Sequence, residues 1–259
     1  MPERSRNRGS GGSPRGYAVA ALVGLDRHRA VLWVVHSQSV KQHGSIDLPK
    51  DRDGGSEGDH YNFFNTIIAA LKPVFSSGVG SLVVASVGNG GALANSFVVH
   101  VRKHHAYLVR SIRMTSIAAD AGTTNAVKAL VKTQAFQTAT ANVIEQESDS
   151  IVQLLDARLS DDTGGFTILF SLEEIGQCFR KLSKAGQVSV GVPEHILMTD
   201  RFWAAQKNSP RLQRITDLAR NAGVKVRVFR EDEKAGGRVA QLGGLVCIVV
   251  QRGQKPSRI

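Results

Sequence analysis

The segment His100-Val101-Arg102-Lys103-His104-His105 brings imidazoles and cations together. On a helix, His100 and His104 stand at i and i+4 on one face, a spacing that suits a metal ion. Neither a cysteine nor a carboxylate lies nearby in sequence, and Arg102 and Lys103 would repel a cation. The segment therefore reads as a basic helix face, with Arg102, Lys103, His104 and His105 turned to phosphate or to solvent. Lys128 and Lys132 are expected to extend that face. Arg211, Arg214 and Arg220 share another helical pattern with Leu212, Ile215 and Leu218, so some of these arginines face outward, and plain solubility would explain them equally well. Gly88-Asn89-Gly90-Gly91 stands between a strand pattern and a helix pattern, the place of a phosphate-binding turn. The chain offers no GxxxxGKS/T loop, no strand-linked GxGxxG and no Ser-His-Asp order with supporting turns. No metal and no cofactor are expected.

The elements that must position these residues belong to a chain of 259 residues, long enough for one or two domains. Apolar residues make up 42% and charged residues 21%, which is enough to fill real cores. The net charge of +11 and the pI of about 10.1 stand out. Such an excess favours a polyanion, nucleic acid above all, over the alternative of scattered solvated charge. Cys178 and Cys247 each sit in apolar surroundings and read as buried free thiols of a reducing compartment. No apolar run approaches the roughly 20 residues that cross a bilayer, so no membrane partner is expected. Residues 1–16 carry Arg4, Arg6, Arg8 and Arg15 among Gly, Ser and Pro and read as a disordered basic tail, as do residues 253–259. A cytoplasmic location follows, with a mitochondrial presequence as the alternative.

In chain order, two β-rich runs at 17–24 and 30–36 flank a polar turn and read as a hairpin. A third strand is expected over Gly44–Leu48, stopped by Pro49, and then an exposed loop to Asp59. Helical spacing of Tyr61, Phe64, Ile68, Leu71 and Phe75 predicts a helix over 60–76. A buried strand at 81–86, a helix at 92–105 and a strand at 108–114 complete a mixed sheet flanked by helices. Residues 124–159 are helical in pattern, weakest at 133–140, and Glu145, Glu147 and Asp149 form a solvated run where the domain boundary is expected, near 147. Beyond it come helices at 148–159, 171–185 and 209–221 and a strand at 188–198, which together predict a compact α/β/α sandwich. The chain closes on VKVRVFREDEKAGGRVAQLGGLVCIVV, residues 224–250, where a strand of alternating valines, a loop over 231–237, one helical turn over 238–242 and a fully buried strand over 245–250 predict a β–turn–β unit.

Particular residues carry a resemblance to a known family. Ser209-Pro210-Arg211-Leu212 through Ala222-Gly223, then Val226-Arg227-Val228-Phe229, Gly236-Gly237-Arg238-Val239 and Gly243-Gly244-Leu245 follow the order and spacing of the C-terminal domain of the Pelota and class-1 translation release factors. Asn62-Phe63-Phe64-Asn65-Thr66-Ile67, Val83-Val84-Ala85-Ser86, Ile151-Val152-Gln153-Leu154-Leu155 and Ile196-Leu197-Met198-Thr199-Asp200-Arg201-Phe202 resemble further segments of that family. Residues 17–250 are covered. The resemblance implies an α/β fold of two domains: a ribonuclease-H-like central domain with a mixed sheet over 17–146, and over 147–252 an α/β/α sandwich of the kink-turn-binding ribosomal-protein type. On this resemblance, no counterpart of the family's N-terminal Sm-like domain is expected within these residues.

The release factors carry a Gly-Gly-Gln tip that positions the water for peptidyl-tRNA hydrolysis. Gly54-Gly55-Ser56 occupies the matching place, and Ser56 lacks the side-chain amide. Asp51, Asp53, Glu57 and Asp59 surround it, whereas a tip that approaches tRNA should be basic. The resemblance thus implies a noncatalytic, ribosome-associated rescue factor that also bears on no-go decay. Its central domain would face tRNA or rRNA, and its C-terminal domain would dock a translational GTPase or the recycling ATPase, with Arg211, Arg214, Gly243 and Gly244 as candidate contacts. Two alternatives stay open: a peptidyl-tRNA hydrolase acting through the degenerate loop, and an RNA-binding ribosome-associated structural protein.

Overall fold

The structure, a computed structural model, describes residues 16–47, 57–161, 164–184 and 191–251. Pro49, the loop Gly54-Gly55-Ser56 and, apart from Gly16, both basic tails lie outside the described residues. Strands β1 (Ala18–Leu25) and β2 (Arg29–His36) form the expected antiparallel hairpin. β3 (Val40–Asp47) pairs with β2 and starts earlier than Gly44. Lys41, His43 and Asp47 suit an edge strand, where charge discourages further pairing, and hide its extent from an apolar pattern. Helix α1 (Glu57–Ser76) leads to β4 (Ser81–Ser86), which runs parallel to β1. Helices α2 (Ala92–His104) and α3 (Ala106–Val109) lead to β5 (Arg113–Ala118), parallel to β4. The first sheet is mixed, in the order β3-β2-β1-β4-β5. The strand expected over 108–114 sits five residues late, because Leu108 and Ile112 plug the core between α1, α2 and the sheet.

Alternate residues of β4 serve opposite faces: Leu82 and Val84 meet α1 and α2, whereas Val83 and Ala85 meet α4 (Thr124–Leu130) and the start of α5 (Gln134–Leu159). The helical pattern of 124–159 breaks at 131–133. Thr133 ends it by donating its hydroxyl to Leu130 O at 2.7 Å, and it starts α5 by accepting from the Phe136 amide. The Thr- and Gln-rich remainder stays helical because Phe136, Thr140 and Val143 are buried.

α5 runs unbroken through 147 and serves both sheets, with Phe136 on the first and Leu155 on the second. The expected solvated run at Glu145, Glu147 and Asp149 is corrected at its centre, since Glu147 is buried.

The second sheet holds β6 (Phe166–Leu169), β7 (Val192–Thr199), β8 (Lys225–Phe229) and β9 (Leu245–Val250) in the order β6-β9-β7-β8. One face takes α6 (Leu172–Lys184), α7 (Asp200–Gln206) and α8 (Pro210–Asn221) through Ile175, Phe179, Phe202, Leu212 and Ile215. The other takes α5 and α9 (Lys234–Gln241) through Leu155, Ala235 and Val239. β9 is buried on both faces as expected, with Cys247 and Val249 toward the first and Val246 and Ile248 toward the second. The β–turn–β expectation fails, because β7 lies between β8 and β9, and the two pair with β7 rather than with each other. α9 makes that crossing and begins at Lys234, inside the expected loop. Its Gly236 is required, since a Cβ there would strike the carbonyl of Arg230. β6 and α7 were not anticipated: four strand residues and seven helical ones are too few to set a period.

Candidate nucleic-acid interface

α1 and α2 lie side by side on the first sheet, and where the N-terminal part of α1 meets the C-terminal part of α2 their rings form a continuous strip. Tyr61 stands edge-on to His104, with ring centres 5.1 Å apart, and His104 lies 4.9 Å from His100. His100 lies 5.6 Å from His105, which meets Tyr107 at 5.9 Å. The outer rings are open to solvent, Tyr61 at 43% and Tyr107 at 56%, while His100 is only 8% exposed. His100 is thus not part of an exposed basic face but the packed centre of the strip, against Phe64.

One amide oxygen organises the histidines: Nε2 of His100 and Nε2 of His105 lie 3.2 Å and 2.8 Å from Asn65 Oδ1. A carbonyl oxygen only accepts, so both rings donate from Nε2 and carry the same tautomer. Burial pushes the His100 imidazole down to about 4, with His104 and His105 adding to the effect. Burial also lowers His105, helped by His104 and by the ammonium of Lys72. Among the described residues no group of three or more His, Cys, Asp or Glu is arranged to hold a metal.

Arg102, Lys103 and His104 are exposed on this side, as is Lys72. Arg102, Lys103 and Lys72 form no ion pair among the described residues. No Asp or Glu occurs between Asp59 and Asp120, so none of these cations has a carboxylate near it in sequence. That acid-free span is the signal that marks Lys72, Tyr61 and Tyr107 as members of the surface, and a motif search passes over it.

The remaining candidates lie elsewhere. Lys128 and Lys132 do not extend the α2 face. They belong to the layer on the opposite face of the first sheet and line a cleft of about 1850 Å³ between the two sheets' domains. Asp200, Asp232 and Glu233 line the same cleft. Arg211 and Arg214 are exposed on α8. Gly243 and Gly244 form the turn from α9 into β9, with φ of 97° and 83°, and a Cβ on Gly244 would come within 3.3 Å of Phe202 and Thr199. Structurally Gly244 is a close-packing glycine. The Gly88–Gly91 turn also takes left-handed φ at Gly88, Gly90 and Gly91. Its following helix spends the Ala94 amide on the buried Ser86 hydroxyl at 3.0 Å, which leaves that donor closed to an anion.

Beside the cleft the domains are joined by a buried ion pair. The guanidinium of Arg227, on β8, reaches Glu147 on α5, and Ser81 of β4 donates to the same carboxylate at 2.5 Å. Arg227 also donates to the carbonyl of Ala18 at 3.1 Å. One residue from the second sheet therefore ties α5 and β1 and meets, through Glu147, β4. Cys178 and Cys247 are buried free thiols, as expected. Among the described residues no helix is long and apolar enough to cross a membrane.

No protein-family model matches the chain, and no curated protein matches it. Solved structures do. The chain aligns with a structure described as a model of ribosome-bound archaeal Pelota and ABCE1 over 89% of its own length and 61% of the other, at 16% identity and a TM-score of 0.50. It also aligns with Saccharomyces cerevisiae Dom34, described as a translation termination-like factor interacting with Hbs1, over 93% and 65% at 14% identity and a TM-score of 0.46. Pelota of Archaeoglobus fulgidus aligns over 92% and 65%, at 15% identity and a TM-score of 0.39. The chain spans about three fifths of the length of the structures it matches. With its two sheets and the helices packed on them, the chain has a Pelota-like fold over nearly all of its own length.

Proposed function

We propose that this chain is a noncatalytic translation factor that binds ribosomes and takes part in rescuing stalled ones. Its first domain faces tRNA or rRNA, and its second meets a translational GTPase or recycling ATPase. The observation that carries this reading is the Pelota-like fold running through both domains. The basic surface on α1 and α2 supports it, because it is drawn from residues 60–119, which hold no Asp or Glu, and phosphate attraction needs cations that no carboxylate has already neutralised. The strand order β3-β2-β1-β4-β5 supports a ribonuclease-H-like first domain, and helices on both faces of the second sheet support the sandwich assigned to the second. Arg211 and Arg214, exposed on α8, are the candidate contacts for the partner.

Sedimentation through sucrose at low and high salt tests the proposal. The full chain should travel with ribosomes at low salt and leave them as salt rises, and absence from every ribosomal fraction at low salt would sink it. The same gradients, run on cytoplasmic and on mitochondrial ribosomes, assign the compartment. The competing hydrolase reading predicts peptide release from stalled ribosomes that Gly55→Ala abolishes. The noncatalytic reading predicts no release from either protein. A Pelota-type GTPase should be retained by the intact chain and lost with the double change Arg211→Glu and Arg214→Glu.

A further inference from the structure

The strip of rings has a feature that phosphate attraction alone does not require. A surface that only holds a backbone needs cations. Here two tyrosines are kept exposed at the ends of a line of imidazoles whose buried centre fixes their spacing. Tyr61 leans on His100 and His104, at 5.0 Å and 5.1 Å, and Tyr107 leans on His105. Asn65 in turn anchors His100 and His105, so the outer rings stand on a packed base. The cations beside the strip, Arg102, Lys103 and Lys72, are exposed and without carboxylate partners among the described residues. Aromatic faces flanked by uncommitted cations are what single-stranded nucleic acid binds: bases stack on rings while phosphates meet the charges. A duplex hides its base faces and offers phosphates, sugar hydroxyls and base edges, none of which stacks on a ring.

We infer that Tyr61, His104 and Tyr107 form a stacking platform for unpaired nucleotides of RNA, with Arg102, Lys103 and Lys72 holding the adjoining phosphates. The inference rests on the reading of the first domain as RNA-facing, and it narrows that reading to unpaired RNA held through its bases. The platform draws only on described residues of α1, α2 and the segment just after α2, independently of the Gly54-Gly55-Ser56 loop.

Fluorescence anisotropy with the full chain, a labelled single-stranded RNA 12-mer and a duplex of the same length tests it. The single strand should bind more tightly than the duplex. Tyr61→Ala and Tyr107→Ala should each weaken single-strand binding by about tenfold, the scale of one lost base stack, and leave duplex binding unchanged. Tyr61→Phe and Tyr107→Phe keep the ring and should keep the affinity, which separates stacking from loss of fold. Equal binding of both RNAs, with no effect of the alanine changes, would overturn the platform and leave a phosphate-only surface. Binding of a poly-glutamate peptide as tight as that of RNA would overturn it in favour of an acidic protein partner. Absence of RNA binding altogether would overturn it too, while the ribosome-association proposal stands or falls separately on sedimentation.

Discussion

Arg227 and Glu147 are 80 residues apart in the chain and form a two-point ion pair, Nε to Oε1 at 2.6 Å and Nη2 to Oε2 at 2.5 Å, with side chains only 4% and 9% exposed. Removing one member strands the other charge in the interior, which costs about 3–5 kcal/mol. Arg227→Ala and Glu147→Ala should each lower the urea midpoint strongly. The double change Arg227→Met with Glu147→Leu should recover much of the loss, because an apolar pair leaves no charge unpaired. Equal losses in the single and double variants would contradict this account.

Two glycines allow that pair to form. Gly78 has φ of 111°, and a Cβ there would come within 2.6 Å of Val226 O. A Cβ on Gly80 would fall 2.6 Å from Glu147 Oε1. Gly78→Ala combines a left-handed backbone with a backbone clash and should destabilise by about 2 kcal/mol or more. Gly80→Ala should act chiefly by displacing the carboxylate, so in the background lacking Glu147 its cost should shrink. A double-mutant cycle followed by thermal denaturation measures that coupling.

Stability should depend on pH through His100. Its folded-state imidazole titrates near 4, below the ordinary 6.5, so the unfolded chain takes up the proton first as pH falls. The contribution is fully present above pH 6.5 and is lost as pH falls from 6.5 toward 4, by roughly 3 kcal/mol. His104 and His105 act on the same ring and deepen the loss, whereas Lys72 acts on His105. Melting temperatures from pH 7 to 4.5 should show a steeper fall for the native chain than for His100→Gln. Parallel curves would remove His100 as the cause.

Cys247 lies in β9 with burial pushing its thiol up to about 12, and burial raises Cys178 as well. The thiolate is the reactive form, so at pH 8 both should resist iodoacetamide in the folded protein and react once it is unfolded in guanidinium. Mass spectrometry counts the adducts. Rapid modification of Cys247 in the native chain would mean that the second sheet opens far more often than its packing implies.

The elements with a strong period were legible from residues alone. Ala20–Val23 and Leu245–Val249 are too apolar to be anything but interior strands, α1 announces itself through Tyr61, Phe64, Ile68 and Leu71, and the order of segments was enough to carry the Pelota-like resemblance. The basic character of Arg102 and Lys103 was legible too, since exposed charge on an amphipathic helix is a local property. What failed was whatever depends on a partner distant in sequence. Glu147 reads as solvated until Arg227 is brought to it, His100 reads as a surface histidine until α1 supplies Phe64 and Asn65, and Lys128 reads as a neighbour of Arg102 until the sheet comes between them. By itself the sequence determined the strongly periodic elements and the charge of this protein, because burial periodicity and ionisation are written residue by residue. Only the tertiary structure decided which charges meet, which rings line up and where β9 inserts, because those follow from long-range packing that no single segment encodes.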